Sequence, residues 1–250
     1  IEPLPIPQRE PYLPPESKIG CRIRIKFSKK GYLIYLGHLD ILRLLERALR
    51  RSSLPISYSG GFHPLPRIKF ALALPLGIEA EGEIMDIDFT KELDPYFIII
   101  KLQEFLPKEL KLLSATLLNP EDYNLSGNLK SAVWTFNLTP LNSDNLTDLE
   151  LEKAINHILN RKTLIWKDKD KKGRNRLRDF KTVLSSLTIE PISSNTSHQT
   201  SPKTLQLKLE SLIEKSGLSL KPQQIHYWVE EYLNEPLKIT NIKRNELLLL

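Results

Sequence analysis

Hydrophobic and polar positions alternate along residues 21–27, and a two-residue period is that of a half-buried β-strand. The apolar positions of this segment are Ile23, Ile25 and Phe27. The basic positions are Arg22, Arg24 and Lys26. The alternation predicts a strand that packs its apolar side on a core and turns a basic face outward.

From His38 to Arg51 the period becomes helical. The predicted apolar face consists of Ile41, Leu42, Leu45, Ala48 and Leu49. The opposite face carries a stripe at i, i+4 and i+7 that consists of Arg43, Arg47 and Arg50. Asp40 falls in the first turn, where the helix dipole favours an anion.

The rest of the first half predicts two further strands, a second helix and a closing strand. Residues 67–74 and 83–89 have strand character, Asp94 and Pro95 are typical of a helix start, and residues 110–118 form the last strand. The resulting order, β-α-β-β-α-β, is that of the ferredoxin-like fold.

A second pass through a similar order begins at Ser131. Thr147 and Glu150 form a capping box that opens a helix, and residues 237–247 predict a closing strand. We therefore predict an α+β fold of two tandem ferredoxin-like (βαββαβ) units, the second degenerate. The predicted organisation is a Pro-rich linker or arm over 1–18, a basic ferredoxin-like domain over 19–118, a linker over 119–130 and a second ferredoxin-like domain over 131–250.

Charge is distributed unevenly, and this says more than the net charge of +6. Residues 21–75 contain 11 Lys and Arg against 2 Asp and Glu, a balance of +9. Residues 76–130 contain 5 against 11, a balance of −6, and residues 161–181 contain 10 against 3, a balance of +7. Two basic blocks around an acidic one favour a polyanionic partner such as RNA.

The single cysteine, Cys21, excludes a disulfide framework and a cysteine-rich zinc or iron–sulfur site. His residues show no metal-ligand spacing, so no metal site is predicted. There is no signal-peptide pattern and no apolar run of the length of a membrane span, which predicts a cytoplasmic protein with no membrane partner.

Two features carry the predicted nucleic-acid site. Guanidinium groups match phosphate oxygens, so the helix stripe and the basic strand are candidate phosphate ligands. The loop over 58–66 has adjacent glycines that permit close approach of a ligand and aromatic side chains that can stack a base. The predicted nucleic-acid-binding residues are Arg22, Arg24, Arg43, Arg47, Arg50, Tyr58, Gly60, Gly61, Phe62, His63, Arg67 and Lys69.

Three further features have weaker functional interpretations. The basic segment 167–181 is either a second phosphate contact or an exposed hairpin, and the three tryptophans fit a core better than a stacking surface. His38 is a weak candidate for the base of an RNA-cleaving pair with His63, although a packing or capping role fits it better. The carboxylates of the acidic strand 79–88 could form a metal cluster, but an exposed strand face fits them better.

The segments 35–40, 47–51 and 54–70 together resemble a bacterial family known as the radical-SAM-linked domain of unknown function. The run Tyr58-Ser59-Gly60-Gly61-Phe62-His63-Pro64-Leu65-Pro66-Arg67 is the densest part of the likeness, which is strong over residues 21–118 and looser beyond. Relatives often have Asn at the position of His63, which counts against this histidine as an essential base.

That resemblance implies a stand-alone module or the C-terminal part of a radical S-adenosylmethionine protein with a cobalamin-type domain. The Pro-rich start at Ile1 suits the second arrangement. A 4Fe-4S cluster, S-adenosylmethionine and any cobalamin are then expected in an upstream domain or partner, and no cofactor in this chain. Because some relatives are encoded beside an RNA-processing ribonuclease, the resemblance also implies that ribonuclease and RNA (tRNA or ribosomal RNA) as partners.

Three hypotheses follow. The favoured one is a non-catalytic module that binds RNA or presents a substrate to a radical SAM enzyme. The second is a His-dependent endoribonuclease built on tandem ferredoxin-like halves, which rests on fold analogy. The third is a protein-docking module that uses the acidic strand 79–88.

Overall fold

A computed structural model describes residues 18–60, 62–73, 76–141, 147–169, 173–190 and 204–250. The elements of the first half are β1 (Cys21–Lys29), α1 (His38–Arg51), β2 (Ile68–Phe70), β3 (Glu79–Phe89), α2 (Pro95–Gln103) and β4 (Leu110–Leu117). Those of the second half are β5 (Leu129–Pro140), α3 (Asp148–Asn160), β6 (Ile165–Lys169), β7 (Asn175–Asp179), β8 (Leu184–Glu190), β9 (Leu205–Leu212), α4 (Pro222–Leu233) and β10 (Leu237–Leu249).

The predicted α+β class is confirmed, and the strands of both halves join in one mostly antiparallel sheet. Along that sheet the order is β4-β1-β3-β10-β5-β9-β8, and β2 pairs with β3. Strands β6 and β7 form a separate hairpin. The assignment of each half to the ferredoxin-like fold, and the division into two domains, stay predictions.

The halves meet where β10 runs parallel to β3, with Lys243 opposite Glu79 and Arg244 opposite Ala80. Gly82 makes this approach possible, because a Cβ at that position would lie 2.9 Å from the carbonyl oxygen of Asn245. A side chain there would push the two strands apart, so the junction depends on glycine.

The buried apolar side chains form two hydrophobic clusters. In the first, β1 and β3 supply side chains such as Ile23 and Ile87, and α1 covers them with Ile41, Leu45 and Leu49. The second cluster lies between β5, β9, β10 and the helices α3 and α4, and it also includes Ala71, Ile78 and Ile84 of the first half. The alternation of β1 and the helical period of α1 therefore predicted most of the buried apolar positions, although Leu42 is only partly buried.

The helix caps that the sequence predicted are present in the structure. The Asp94 carboxylate accepts a 3.0 Å bond from the backbone N–H of Tyr96 at the start of α2. At the start of α3, the Thr147 hydroxyl accepts from the Glu150 N–H at 3.2 Å, and the Glu150 carboxylate accepts from the Thr147 N–H at 2.8 Å. These bonds satisfy backbone donors that a helix start leaves unpaired.

A 3-10 turn over Gly31–Tyr35 follows β1. Two segments differ from their predictions. The strand predicted over 67–74 is reduced to the three residues of β2. The predicted linker 119–130 contains a second 3-10 turn, Pro120–Tyr123, and its Leu125 is buried in the second cluster. None of the described helices is long and apolar enough to cross a lipid bilayer.

Candidate nucleic-acid interface

The predicted outward placement of the basic side of β1 is wrong for Arg22 and Arg24, whereas Lys26 is partly exposed and pairs with Glu246 at 2.6 Å. Arg22 is 5% exposed, and its guanidinium donates to both carboxylate oxygens of Asp88 at 2.5 and 2.9 Å. Arg24 bonds Asp86 in the same bidentate way at 2.8 and 3.0 Å. The antiparallel register causes this, because it sets Arg22 opposite Asp88 and Arg24 opposite Asp86.

The segment that follows β4 covers this face of the sheet. The guanidinium of Arg22 donates to the carbonyl oxygen of Tyr123 at 3.2 Å and lies 4.3 Å from the centre of its ring. Arg24 donates to the carbonyl oxygen of Asp122 at 3.0 Å. The Asp88 carboxylate raises the pKa of Arg22 above its ordinary value by hydrogen bonding, against the opposing effect of burial. Both arginines therefore bind carboxylates of the same chain, whereas the sequence predicted that they would bind phosphates.

The acidic strand is not an exposed face either. Glu83, Asp86 and Asp88 of β3 are 1–3% exposed. Glu83 accepts two 2.6 Å bonds from Arg244 of β10. At its outer end β3 forms partly exposed pairs, Glu79 with Lys243 and Glu81 with Lys30. The surface required by the protein-docking hypothesis is thus largely used inside the protein.

The arginine stripe of α1 does reach solvent, and it borders an open groove of about 540 Å³. Arg43, Arg47 and Arg51 line this groove, which we call the arginine groove. They follow one another at four-residue intervals, a rise of about 6 Å each along the helix axis. Arg50, predicted as the third member of the stripe, is exposed but does not line the groove.

The charges of the arginine groove are lightly compensated. Asp40 lies 3.6 Å from Arg43, but both side chains are more than half exposed, so the pair is weak. In the part of the chain that the structure describes, neither Arg47 nor Arg51 has a carboxylate within ion-pair distance. Three cations and one carboxylate leave this groove with a net charge of +2.

Aromatic side chains lie beside these cations. Tyr32, on the 3-10 turn after β1, is 58% exposed and also lines the groove. The interaction of its hydroxyl with the Glu109 carboxylate raises the pKa of Tyr32. Phe105 lines the groove too, with the Arg51 guanidinium 5.3 Å from its ring centre. Tyr32, Phe105 and Arg51 were not among the predicted binding residues; the four-residue spacing from Arg47 is the signal that would have found Arg51.

The loop over 58–66 is closed at its base by backbone contacts. Tyr58 pairs with Pro66 across its base, and the Ser59 N–H donates to the Leu65 carbonyl oxygen at 2.9 Å. At the tip, Phe62 is 87% exposed and His63 is exposed. Gly60 is exposed as well, whereas Gly61 lies outside the described residues.

Two basic residues predicted after the loop have different surroundings. Arg67 is partly buried and donates from Nε to the carbonyl oxygen of Tyr58 at 3.0 Å, so it holds the base of the loop. Lys69, in β2, is exposed.

His38 turns away from the arginine groove. Its ring packs edge-on against Phe70 with 4.8 Å between ring centres. Together with Lys29 and Glu83 it lines a small space of about 20 Å³, which is enough for one water molecule. Burial lowers the pKa of Lys29, and the charge of Arg244 adds to this while Glu83 opposes it. The location of His38 fits packing at the start of α1.

Within the described residues, no three or more His, Cys, Asp or Glu side chains are grouped so as to hold a metal ion. Cys21 is buried, and its thiol donates to the carbonyl oxygen of Lys91 at 3.1 Å. Burial raises the pKa of Cys21, which disfavours the reactive thiolate.

The protein-family profile described as "Uncharacterized protein conserved in bacteria (DUF2344)" matches residues 22–240, which include the whole arginine groove. The chain belongs to this family. The DUF2344 match spans both halves and the junction between them, and its description contains no link to radical SAM chemistry. No curated protein matches the sequence.

Among solved structures, this DUF2344 chain is similar to one in a crystal structure of a Cbf5–Nop10–Gar1 complex, with a TM-score of 0.52 and 7% identity. The alignment covers 90% of this chain and 48% of that one, so the chain spans about half the length of its match. At this identity the likeness concerns the fold alone. An unknown protein from Galdieria sulphuraria also matches, at 12% identity over 88% of this chain and 96% of that one, but its TM-score of 0.22 carries no argument.

Proposed function

We propose that the chain is a cytoplasmic module that binds single-stranded RNA in the arginine groove. The observation that carries this proposal is the row of Arg43, Arg47 and Arg51 along an open groove that an exposed tyrosine, Tyr32, also lines. Protein grooves that hold single strands without base pairing combine these two features, cations for the phosphates and aromatic rings for the bases.

The arginines suit phosphate for two reasons. A guanidinium keeps its charge at every physiological pH and offers a planar fork of N–H donors to phosphate oxygens. Arg47 and Arg51 also lack carboxylate partners in the described residues, so a phosphate would not have to displace one. The buried Arg22 and Arg24, in contrast, would each have to give up two bonds to an aspartate.

Tyr32 supports a single strand over a duplex. Its ring is more than half exposed and lines the same groove as the arginines. A ring exposed in this way can stack on an unpaired base, and such stacking contributes about 1–3 kcal/mol per base. The bases of a duplex are already stacked on one another and are not available for this contact.

Photo-crosslinking tests the proposal at the level of residues. A single-stranded RNA that contains 4-thiouridine would be irradiated with the protein, and the crosslinked peptides identified by mass spectrometry. We expect crosslinks to the peptides that carry Tyr32 and Phe105, and loss of the first in Tyr32→Ala.

The control is Tyr96→Ala, which removes another exposed tyrosine (69%) that does not line the arginine groove. This control should crosslink as the wild type does. Crosslinks confined to other parts of the surface, or unchanged crosslinking in Tyr32→Ala, would contradict the assignment.

In this proposal the bound RNA is presented to a radical SAM enzyme, located in an upstream domain or in a partner protein. The resemblance over residues 21–118 is the support for this part. The test is a search for such an enzyme, by its cysteine-bound cluster, among proteins that co-purify with the full-length native polypeptide. Absence of any such enzyme would remove this part and leave RNA binding in place.

A further inference from the structure

A second surface cleft, distant in sequence from the arginine groove, combines aromatic rings with cations. It has a volume of about 690 Å³, within the usual range for small-ligand sites. Its walls come from the turn after α3, from β6 and from α4. We call it the tryptophan cleft, and the residues used below are Arg161, Lys162, Trp166, Lys167, Tyr227 and Glu231.

The ring of Trp166 is fixed in orientation and still accessible. It stands at 90° to the ring of Tyr227, with 5.2 Å between centres, and at 90° to that of Trp228 at 6.2 Å. Trp228 is 2% exposed and anchors the group, whereas Trp166 is partly buried and Tyr227 is 49% exposed. The cluster therefore offers aromatic surface to the cleft at a set angle, which suits a planar ring. The expectation that the tryptophans belong to the core holds for Trp134 and Trp228 but not fully for Trp166.

The charges at the rim favour an anion. Arg161 donates to the Glu231 carboxylate at 3.0 Å and to Nε2 of His157 at 3.1 Å, so Glu231 is already occupied. Lys162 and Lys167 are exposed, and in the described ranges neither has an ion-pair partner. With three cations and one carboxylate, the cleft lining carries a net charge of +2.

The geometry points to a nucleotide as the ligand of the tryptophan cleft, with its base against Trp166 and Tyr227 and its phosphate between Lys162 and Lys167. Neither feature alone selects this ligand. An uncharged aromatic compound would leave the lysines unused, and a simple anion would leave the aromatic surface in water. A nucleotide satisfies both, and it can be either a free nucleoside monophosphate or one unit of a single-stranded RNA.

Tryptophan fluorescence provides the test, because Trp134 and Trp228 are buried and an occupied cleft should quench mainly Trp166. The protein would be titrated with adenosine monophosphate, with a short single-stranded oligonucleotide and with inorganic phosphate. We expect saturable quenching by the nucleotide, the oligonucleotide or both, and much weaker binding of phosphate. Binding of the oligonucleotide alone would identify RNA as the source, and binding of the monophosphate would identify a free nucleotide.

The decisive variant is Lys162→Ala/Lys167→Ala, which changes two exposed side chains and should fold normally. Its affinity should fall about tenfold or more, whereas a matched pair elsewhere, Lys91→Ala/Lys238→Ala, should have no effect. No quenching by either nucleotide form, equal binding of phosphate and nucleotide, or equal losses in the two variants would overturn the proposal. An Arg43→Ala/Arg47→Ala/Arg51→Ala variant should keep the wild-type affinity for the monophosphate. The proposals for the tryptophan cleft and for the arginine groove can therefore be refuted independently.

Discussion

The ion pair between Arg244 and Glu83 joins β10 to β3, where the two halves of the sheet meet. Its side chains are 1% and 3% exposed, and both guanidinium–carboxylate bonds measure 2.6 Å. Arg244 also lies 5.3 Å above the ring of Trp134. We predict that Arg244→Met destabilises the protein strongly, because it leaves a buried carboxylate without its bidentate partner.

The magnitude follows from the surroundings of Glu83. Removing one partner of a buried pair costs about 3–5 kcal/mol. The buried Lys29 lies close enough to Glu83 to interact with it electrostatically, so part of the lost charge compensation remains. We therefore expect a loss near the lower end, about 3 kcal/mol. Arg244→Met/Glu83→Leu replaces both charges with apolar groups and should recover more than half of that loss.

Urea denaturation followed by tryptophan fluorescence measures these differences, provided that the m-value stays constant. The control is Lys101→Met, which removes an exposed pair with Glu104 at 3.4 Å and should cost about 0–1 kcal/mol. If Arg244→Met lost no more than this control, or if the double variant lost as much as Arg244→Met, the pair would not be the buried link that we describe.

Two further predictions concern stability. The pKa of Lys29 is lowered in the folded state, so between that lowered pKa and the unfolded value of about 10.4 the folded state binds fewer protons than the unfolded state. The stability of the wild type relative to Lys29→Met should therefore rise with pH in that window. Urea midpoints measured across the window test this, and a difference that stays flat or falls with pH would contradict it. Thr147→Ala removes the hydroxyl that accepts from Glu150 N–H at 3.2 Å and should cost about 1 kcal/mol in urea denaturation, whereas an unchanged midpoint would mean that the cap contributes nothing.

Local signals in the sequence predicted local structure. The caps at Asp94 and at Thr147 depend on residues within three positions of each other, and both are present. The buried side of β1 followed from its alternation, since Ile23 and Ile25 are fully buried. Such signals need no information about the rest of the fold.

The alternation of β1 could not predict whether the opposite side of the strand, which carries its basic residues, is exposed to solvent. Alternation separates two faces of a strand but does not show whether a distant segment covers the second one. Arg22 is buried by Asp88, which lies 66 positions away, and by Tyr123, which lies 101 positions away. Charge blocks that look separate along the chain, +9 and −6, therefore partly neutralise each other across β1 and β3.

Only some of the residues that line the arginine groove were predicted, for a related reason. The helical period placed Arg43 and Arg47 on a solvent-facing side of α1, and both are exposed. Tyr32 and Phe105 belong to other elements, and only tertiary packing brings them to the same groove. The tryptophan cleft was missed because the pattern around Trp166 does not show that one side of its ring stays accessible.

The central claim is that the row of arginines on α1 holds RNA phosphates, and the salt dependence of binding tests it most directly. Affinity for a labelled single-stranded RNA would be measured between about 50 and 200 mM salt. The proteins compared would be the wild type, Arg43→Ala/Arg47→Ala/Arg51→Ala, and the control Lys91→Ala/Lys130→Ala/Lys238→Ala, which removes three exposed charges elsewhere. At about 0.7 counterions released per phosphate contact, the arginine variant should show a log–log slope shallower by about 2 and bind about a hundredfold more weakly near 0.1 M salt, with the control unchanged. Equal slopes for the arginine variant and the control, or no binding by the wild type, would contradict the account.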